Sequence, residues 1–270
     1  MRDLGVPSSI VLTGATTGIG RATALALAGK AGHLILHGLE PQSQVTDLLA
    51  EVRAALPAGA TLSYFAADFS ELVAAERLVS HVRGVTERVD LLVNNAARPG
   101  APTRTVTDTG YELTFQTNYL APVVLTSGLL DLIGTGRIVN VASATHLSAS
   151  LHLDDLTLAR HGYSPSAAYA HSKLALVTYS CWLASHRPSP AIDVVSVHPG
   201  VIATDLLHAM FAVGGDPPEH AAANLEYVAS LRGDNGTYYD ERSPAQPNPE
   251  ATDPATQDQL HAATVDLLAY

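Results

Sequence analysis

The chain has one cysteine, Cys181, so it can form no internal disulfide, and a reducing compartment fits that usage. We read Cys181 as a small buried hydrophobe. Positive charge is also scarce, with 15 Lys and Arg against 26 Asp and Glu and a formal net charge of −11. A phosphate-backbone partner needs clustered cations, so nucleic acid and anionic membranes are not expected as partners. No apolar run reaches the roughly 18 residues of a membrane span, and the opening "MRDLGVPSS" lacks the form of a signal peptide. No membrane anchor is expected, and the chain reads as cytoplasmic. The 12 histidines are scattered, with no HExxH and no paired cysteines, so no metal site is expected. A GxSxG elbow is missing too, which argues against a serine hydrolase. Internal repeats and long low-complexity tracts are absent.

What is present is a globular composition, 47% hydrophobic and 15% charged over 270 residues, enough for one large core. Short apolar runs alternate with longer segments of helical period, the mark of βαβ units around a parallel sheet. Strands are predicted at "SIVLT", "HLILH", "LSYFAA", "DLLVNN", "GRIVNVA", "DVVSVHP" and "GTYYD". Helices are predicted at "GIGRATALALAGK", "SQVTDLLAEVRAAL", "SELVAAERLVSHVRG", 107–132, 166–185 and 255–268. The fold class is therefore α/β, a Rossmann-like, doubly wound parallel sheet of about seven strands flanked by helices, with residues 1–270 as one domain. Segments 144–168 and 201–219 break the pattern. Both follow strand ends on the face where such sheets bind ligands, so they should flank a substrate. The tail "SPAQPNPEATDP" reads as a Pro-rich surface loop.

"VLTGATTGIGRA" joins the first strand to the first helix, with Gly14, Gly18 and Gly20 spaced as TGxxxGxG. Glycines at that turn let the backbone approach a pyrophosphate, which the helix N-terminus then meets with amides and dipole. The spacing differs from the GxGxxG of the standard dinucleotide fingerprint. Tyr169 and Lys173, in "YAHSK", stand one helical turn apart and can share a face.

These motifs resemble the short-chain dehydrogenase/reductase family in its compact form. Further matches run in order along the chain: Asp68 in "AADFS"; Asn94, Asn95 and Ala96 in "LLVNNAA", where Ala97 replaces the family glycine; Asn118 in "FQTNYLAPVVLT"; Ser143 in "GRIVNVASATH"; and Pro199, Gly200 and Thr204 in "HPGVIAT". The match is most similar to the retinol-dehydrogenase-like branch, whose members often carry a membrane anchor ahead of the first strand, and none is expected here. The resemblance implies an NAD(P)-dependent oxidoreductase interconverting a ketone or aldehyde and an alcohol. It implies a cofactor site from Gly14, Thr17, Gly18, Ile19, Gly20, Leu39, Glu40, Asp68, Phe69, Asn95, Ala96, Tyr169, Lys173, Pro199, Gly200 and Thr204. An assembly of two or four copies is compatible with it.

A carbonyl reduction needs a hydride from one side and a proton at the oxygen. Tyr169 is the candidate acid/base. A free phenol has a pKa near ~10, and a nearby cation, here Lys173, should lower it. The resemblance adds that Lys173 grips the nicotinamide ribose, that Ser143 holds the substrate oxygen, and that Asn118 orders a water leading from Lys173 to solvent. An epimerase or dehydratase using a transient hydride, and a non-catalytic nucleotide sensor, remain as alternatives. Between NAD and NADP the balance tips to NAD. Gly38 and Leu39 stand where family members usually place the discriminating Asp or Arg, while Glu40, about 20 residues past Gly20, could meet a ribose 2'-hydroxyl. Arg21 keeps NADP open. Leu147, Leu151, Tyr163, Leu206, Leu207, Met210 and Phe211 are expected to form a mainly apolar pocket for a lipophilic alcohol or ketone.

Overall fold

A computed structural model describes residues 8–211 and 213–268. Most of the "MRDLGVPSS" stretch, residues 1–7, lies outside the described residues, as does residue 212 of the 201–219 segment.

The chain alternates strand and helix: β1 (Ser8–Leu12), α1 (Gly18–Ala28), β2 (Ala31–Gly38), α2 (Thr46–Ala55), β3 (Thr61–Ala66), α3 (Leu72–Val85) and β4 (Leu91–Asn94). There follow α4 (Leu113–Phe115), a π-helical turn (Gln116–Leu120), α5 (Ala121–Ile133), β5 (Arg137–Val141), α6 (Pro165–His186) and β6 (Asp193–His198). The last part holds α7 (Asp205–Met210), α8 (Pro218–Ser230), β7 (Tyr238–Asp240), β8 (Ser243–Ala245), α9 (Pro249–Thr252) and α10 (Pro254–Leu268). The sheet runs β3-β2-β1-β4-β5-β6-β7-β8, parallel throughout except for the antiparallel β7–β8 pair.

Strand side chains alternate between faces, and the register turns that alternation into two apolar layers. Ile35, Val11, Leu92, Ile138 and Val194 are paired in one row across five strands and face α3, α5 and α6. Leu36, Leu12, Val93, Val139 and Val195 form the next row and face the core shared with α1, α2 and α8. Both faces are covered, which is why these strands read as continuous apolar runs.

Two expectations are corrected. The sheet keeps the expected strands and adds an eighth, β8, which turns back on β7 inside the tail read as a surface loop. That tail also contains α9, and its Asn248 is 5% exposed. The helix expected over 107–132 begins only at Leu113, since Gly110, at φ +88°, closes a turn bridged from Val106 to Glu112.

Candidate active site

Strand order reverses between β1 and β4, and a crevice opens beyond their carboxyl ends. The Gly14–Gly20 turn fills its floor. Gly14 and Gly18 adopt φ of +64° and +49°, and a Cβ on Gly20 would lie 1.8 Å from the Gly14 carbonyl oxygen. The turn is tied to the segment after β4: Asn95 Nδ2 donates to the carbonyls of Thr13 (2.9 Å) and Gly14 (3.0 Å), and Thr13 Oγ1 accepts from the amides of Asn95 and Ala96 at 3.0 Å.

His37, buried at the end of β2, completes this support. Its Nδ1 accepts from the Gly14 amide (3.2 Å), so Nε2 carries the proton and donates to the Ala67 carbonyl (2.9 Å), while the ring stacks on Phe69. Burial pulls its pKa from 6.5 down to about 4, so it is neutral at physiological pH. The unfolded chain therefore takes up this proton first as pH falls, and stability drops between about pH 6.5 and pH 4, then levels. Urea unfolding at pH 7 and pH 4.5 should show that loss, and His37→Gln should flatten the slope.

The candidate catalytic groups lie at the other end of the crevice. Tyr169 and Lys173 share a face of α6, with Lys173 Nζ 5.7 Å from the phenol ring centroid and donating to the Val141 carbonyl at 2.8 Å. Ser143 follows β5 and caps a 3-10 turn over 144–148; its Oγ accepts from the Thr145 amide (3.3 Å) and hydroxyl (3.1 Å). Burial pushes the Tyr169 phenol up to about 12, against the pull of a hydrogen bond from Ser143, and pushes Lys173 down to about 7. The expected lowering of the phenol by Lys173 is thus reversed, because desolvation penalises phenolate and ammonium alike. Both groups favour their neutral forms more than they would in water.

Asn118 reaches α6 beside Lys173 from within the fold. It is fully buried in the π-helical turn and does not line the cavity. Its Oδ1 accepts from the Arg98 amide (2.9 Å), and its Nδ2 donates to the Arg98 carbonyl (3.0 Å) and to Ser172 Oγ (3.1 Å). It clasps the segment after β4 to the helix that carries Tyr169 and Lys173.

One cavity of about 750 Å³ joins the two ends. Apart from Asn118, every expected catalytic and cofactor residue lines it: Gly14, Thr17, Gly18, Ile19, Gly20, Leu39, Glu40, Asp68, Phe69, Asn95, Ala96, Ser143, Tyr169, Lys173, Pro199, Gly200 and Thr204. Of the expected apolar pocket, Leu206, Leu207 and Phe211 line it, and Leu147, Leu151, Tyr163 and Met210 do not. Leu147 is exposed, Leu151 packs into the core, and the Tyr163 hydroxyl is engaged by the Ala101 carbonyl at 2.9 Å. Arg98 and His198 were not expected in the lining and carry no pattern of their own, while Thr145, Val201, Ile202 and Val213 belong to the segments expected to flank the substrate.

Gly38 now has a structural reason. A Cβ there would fall 2.3 Å from Thr16 Cγ2 and 2.8 Å from the Tyr64 hydroxyl, which donates to the Glu40 carbonyl at 2.6 Å. The site of the usual family Asp is filled, and Glu40 beside it presents a buried Oε2 with no hydrogen-bond partner.

Asn248, 105 residues after Ser143 in sequence, holds the Ser143 turn from behind. Its Nδ2 reaches the carbonyls of His146 (3.0 Å), Leu147 (3.3 Å) and Ala149 (2.8 Å), and its amide donates to His146 Nε2 at 3.4 Å. The other nitrogen of that buried imidazole, Nδ1, then bears the proton and donates to the Ser143 carbonyl (2.7 Å). Asn248→Ala leaves several carbonyls without their donor. Steady-state kinetics should show kcat about tenfold lower, with nicotinamide binding changed by less than about twofold.

The family model described as short chain dehydrogenase matches residues 8–212. Human retinol dehydrogenase 13 is 31% identical over 285 aligned positions, spanning 96% of this chain and 84% of that protein. Mouse polyprenol dehydrogenase is 32% identical over 281 positions, spanning 95% and 82%. A Burkholderia cenocepacia short chain dehydrogenase, solved in complex with NADP, superposes with a TM-score of 0.68 at 25% identity, covering 86% of this chain and 95% of that one. No helix among the described residues is long and apolar enough to cross a membrane.

Proposed function

The chain belongs to the short-chain dehydrogenase family, and from that premise we propose that it is an NAD-dependent oxidoreductase reducing a ketone or aldehyde to an alcohol, with Tyr169 as the acid. The observation that carries this reading is the single cavity that begins at the glycine turn and ends at Ser143, Tyr169 and Lys173. Its residues fit a nicotinamide dinucleotide. The left-handed glycines clear space for a pyrophosphate at the α1 N-terminus, and the partnerless Glu40 Oε2 suits a ribose hydroxyl. We read the whole chain as one dinucleotide-binding and catalytic domain, with 144–168 and 201–219 flanking the substrate.

A bound reduced nicotinamide would supply the hydride. The buried phenol of Tyr169, held up to about 12, keeps its proton at neutral pH and can give it to a carbonyl oxygen. Ser143 Oγ donates a hydrogen bond to the same oxygen. The phenolate left behind recovers a proton from Lys173, whose ammonium, held down to about 7, exchanges protons readily at neutral pH. Asn118 fixes the helix that presents both groups.

The distribution of charge supports NAD as the cofactor. Glu40 and Asp68 line the end of the cavity near β2 and β3, while the Lys and Arg that line it, Arg98 and Lys173, lie near Asn118 and Tyr169. Arg21 is drawn away to Glu51 at 2.6 Å. A 2'-phosphate would meet carboxylates, so titration followed by nicotinamide fluorescence should give NADH a Kd at least tenfold below that of NADPH. Tighter NADPH binding overturns the cofactor choice, and binding of neither overturns the oxidoreductase reading.

A further inference from the structure

Segment 144–168, the start of α6 and Phe211 line a second, half-open compartment of about 510 Å³. It shares Thr145 and Phe211 with the main cavity, so the two adjoin at the substrate end of the site. Their linings differ in chemistry. Leu206, Leu207 and Val213 line the main cavity near Phe211, whereas Ser148, His152, Ser166 and His171 line the second compartment, which has no Lys, Arg, Asp or Glu among its described lining residues.

The imidazoles there are held in place. His161, His152 and His171 stack in a ladder, with centroids 4.0 Å and 5.6 Å apart, that ends on Phe115 in the core. At its outer end Asp155 accepts from His161 Nδ1 at 2.9 Å. His171 is 3% exposed, and its Nε2 accepts from the His152 amide at 3.3 Å. Burial lowers its pKa to about 4, so the neutral ring carries its proton on Nδ1, and that donor has no acceptor among the described residues. A buried donor left without an acceptor is costly, and it belongs to an imidazole that lines the compartment.

We propose that this compartment receives the distal end of the substrate, and that this end bears an uncharged oxygen, a hydroxyl or an amide carbonyl, bound by the serine hydroxyls and imidazoles. The inference rests on the carbonyl-reductase reading and narrows its substrate class from simply lipophilic to amphiphilic. A carboxylate end finds no cation in the lining.

The test uses three methyl ketones of equal chain length, ending in a methyl, a primary hydroxyl and a carboxylate. With the wild-type protein, kcat/KM for the hydroxyl-ended ketone should exceed that for the methyl-ended one about tenfold, mainly through KM, and the carboxylate should gain nothing. His152→Phe keeps a ring in the ladder but removes its hydrogen-bonding nitrogens, and Ser148→Ala removes one exposed hydroxyl. Each should compress the hydroxyl-to-methyl ratio towards one. A wild-type ratio of one or less, a preference for the carboxylate, or a ratio that both variants preserve would overturn the proposal. Turnover of no ketone with either NADH or NADPH overturns the reductase reading beneath it, and so separates the two failures.

Discussion

Tyr169→Phe should cut carbonyl turnover by about 10²–10⁴-fold while leaving NADH binding within about twofold of wild type. The substitution removes one hydroxyl from a ring that is 6% exposed, so the fold around it has no reason to change. The lost group is the proposed proton donor, whose buried phenol is pushed up to about 12. Stopped-flow reduction and fluorescence titration on the same preparation separate chemistry from binding. Turnover within tenfold of wild type would mean that Ser143 or solvent supplies the proton.

Arg137→Ala should lower the free energy of unfolding by ~3–5 kcal/mol, the cost of removing one partner from a buried ion pair. Arg137 opens β5 at the end of the sheet away from the site and is fully buried. Its guanidinium forks onto Asp234, at 2.6 and 2.8 Å, and lies 3.5 Å from Asp193. Burial alone would raise the Asp234 carboxyl, but Arg137 and Tyr239 hold it below the usual range. Without Arg137, Asp234 loses its forked partner and β5 loses its anchor to the turn before β7. Urea denaturation measures the loss, and adding Asp234→Ala should recover part of it.

These two predictions differ in how far they were legible in the sequence. Tyr169 and Lys173 sit in a local motif, one helical turn apart, and the apolar runs around them mark the strands that carry the glycine turn and Ser143. Arg137 carries no motif at all. It reads as an ordinary charged residue in "GRIVNVA", and only its partners in the 193–234 region make it structural.

The same division holds through the site. Period-two alternation and strand-end glycines are properties of neighbouring residues, so the sequence by itself determined the parallel sheet and the crevice at its carboxyl edge, while the family motifs marked those residues of the lining that the resemblance named. What depends on residues far apart in the chain was decided only by tertiary structure. Packing against Thr16 and Tyr64 makes Gly38 a glycine, Asn248 holds the Ser143 turn, and Asn118 clasps Arg98 rather than facing the cavity. Desolvation made the largest difference. Spacing placed an ammonium beside a phenol, but how deeply α6 is buried decides that the phenol keeps its proton and the ammonium readily gives one up. Burial is a property of the whole fold, which no local stretch of sequence encodes.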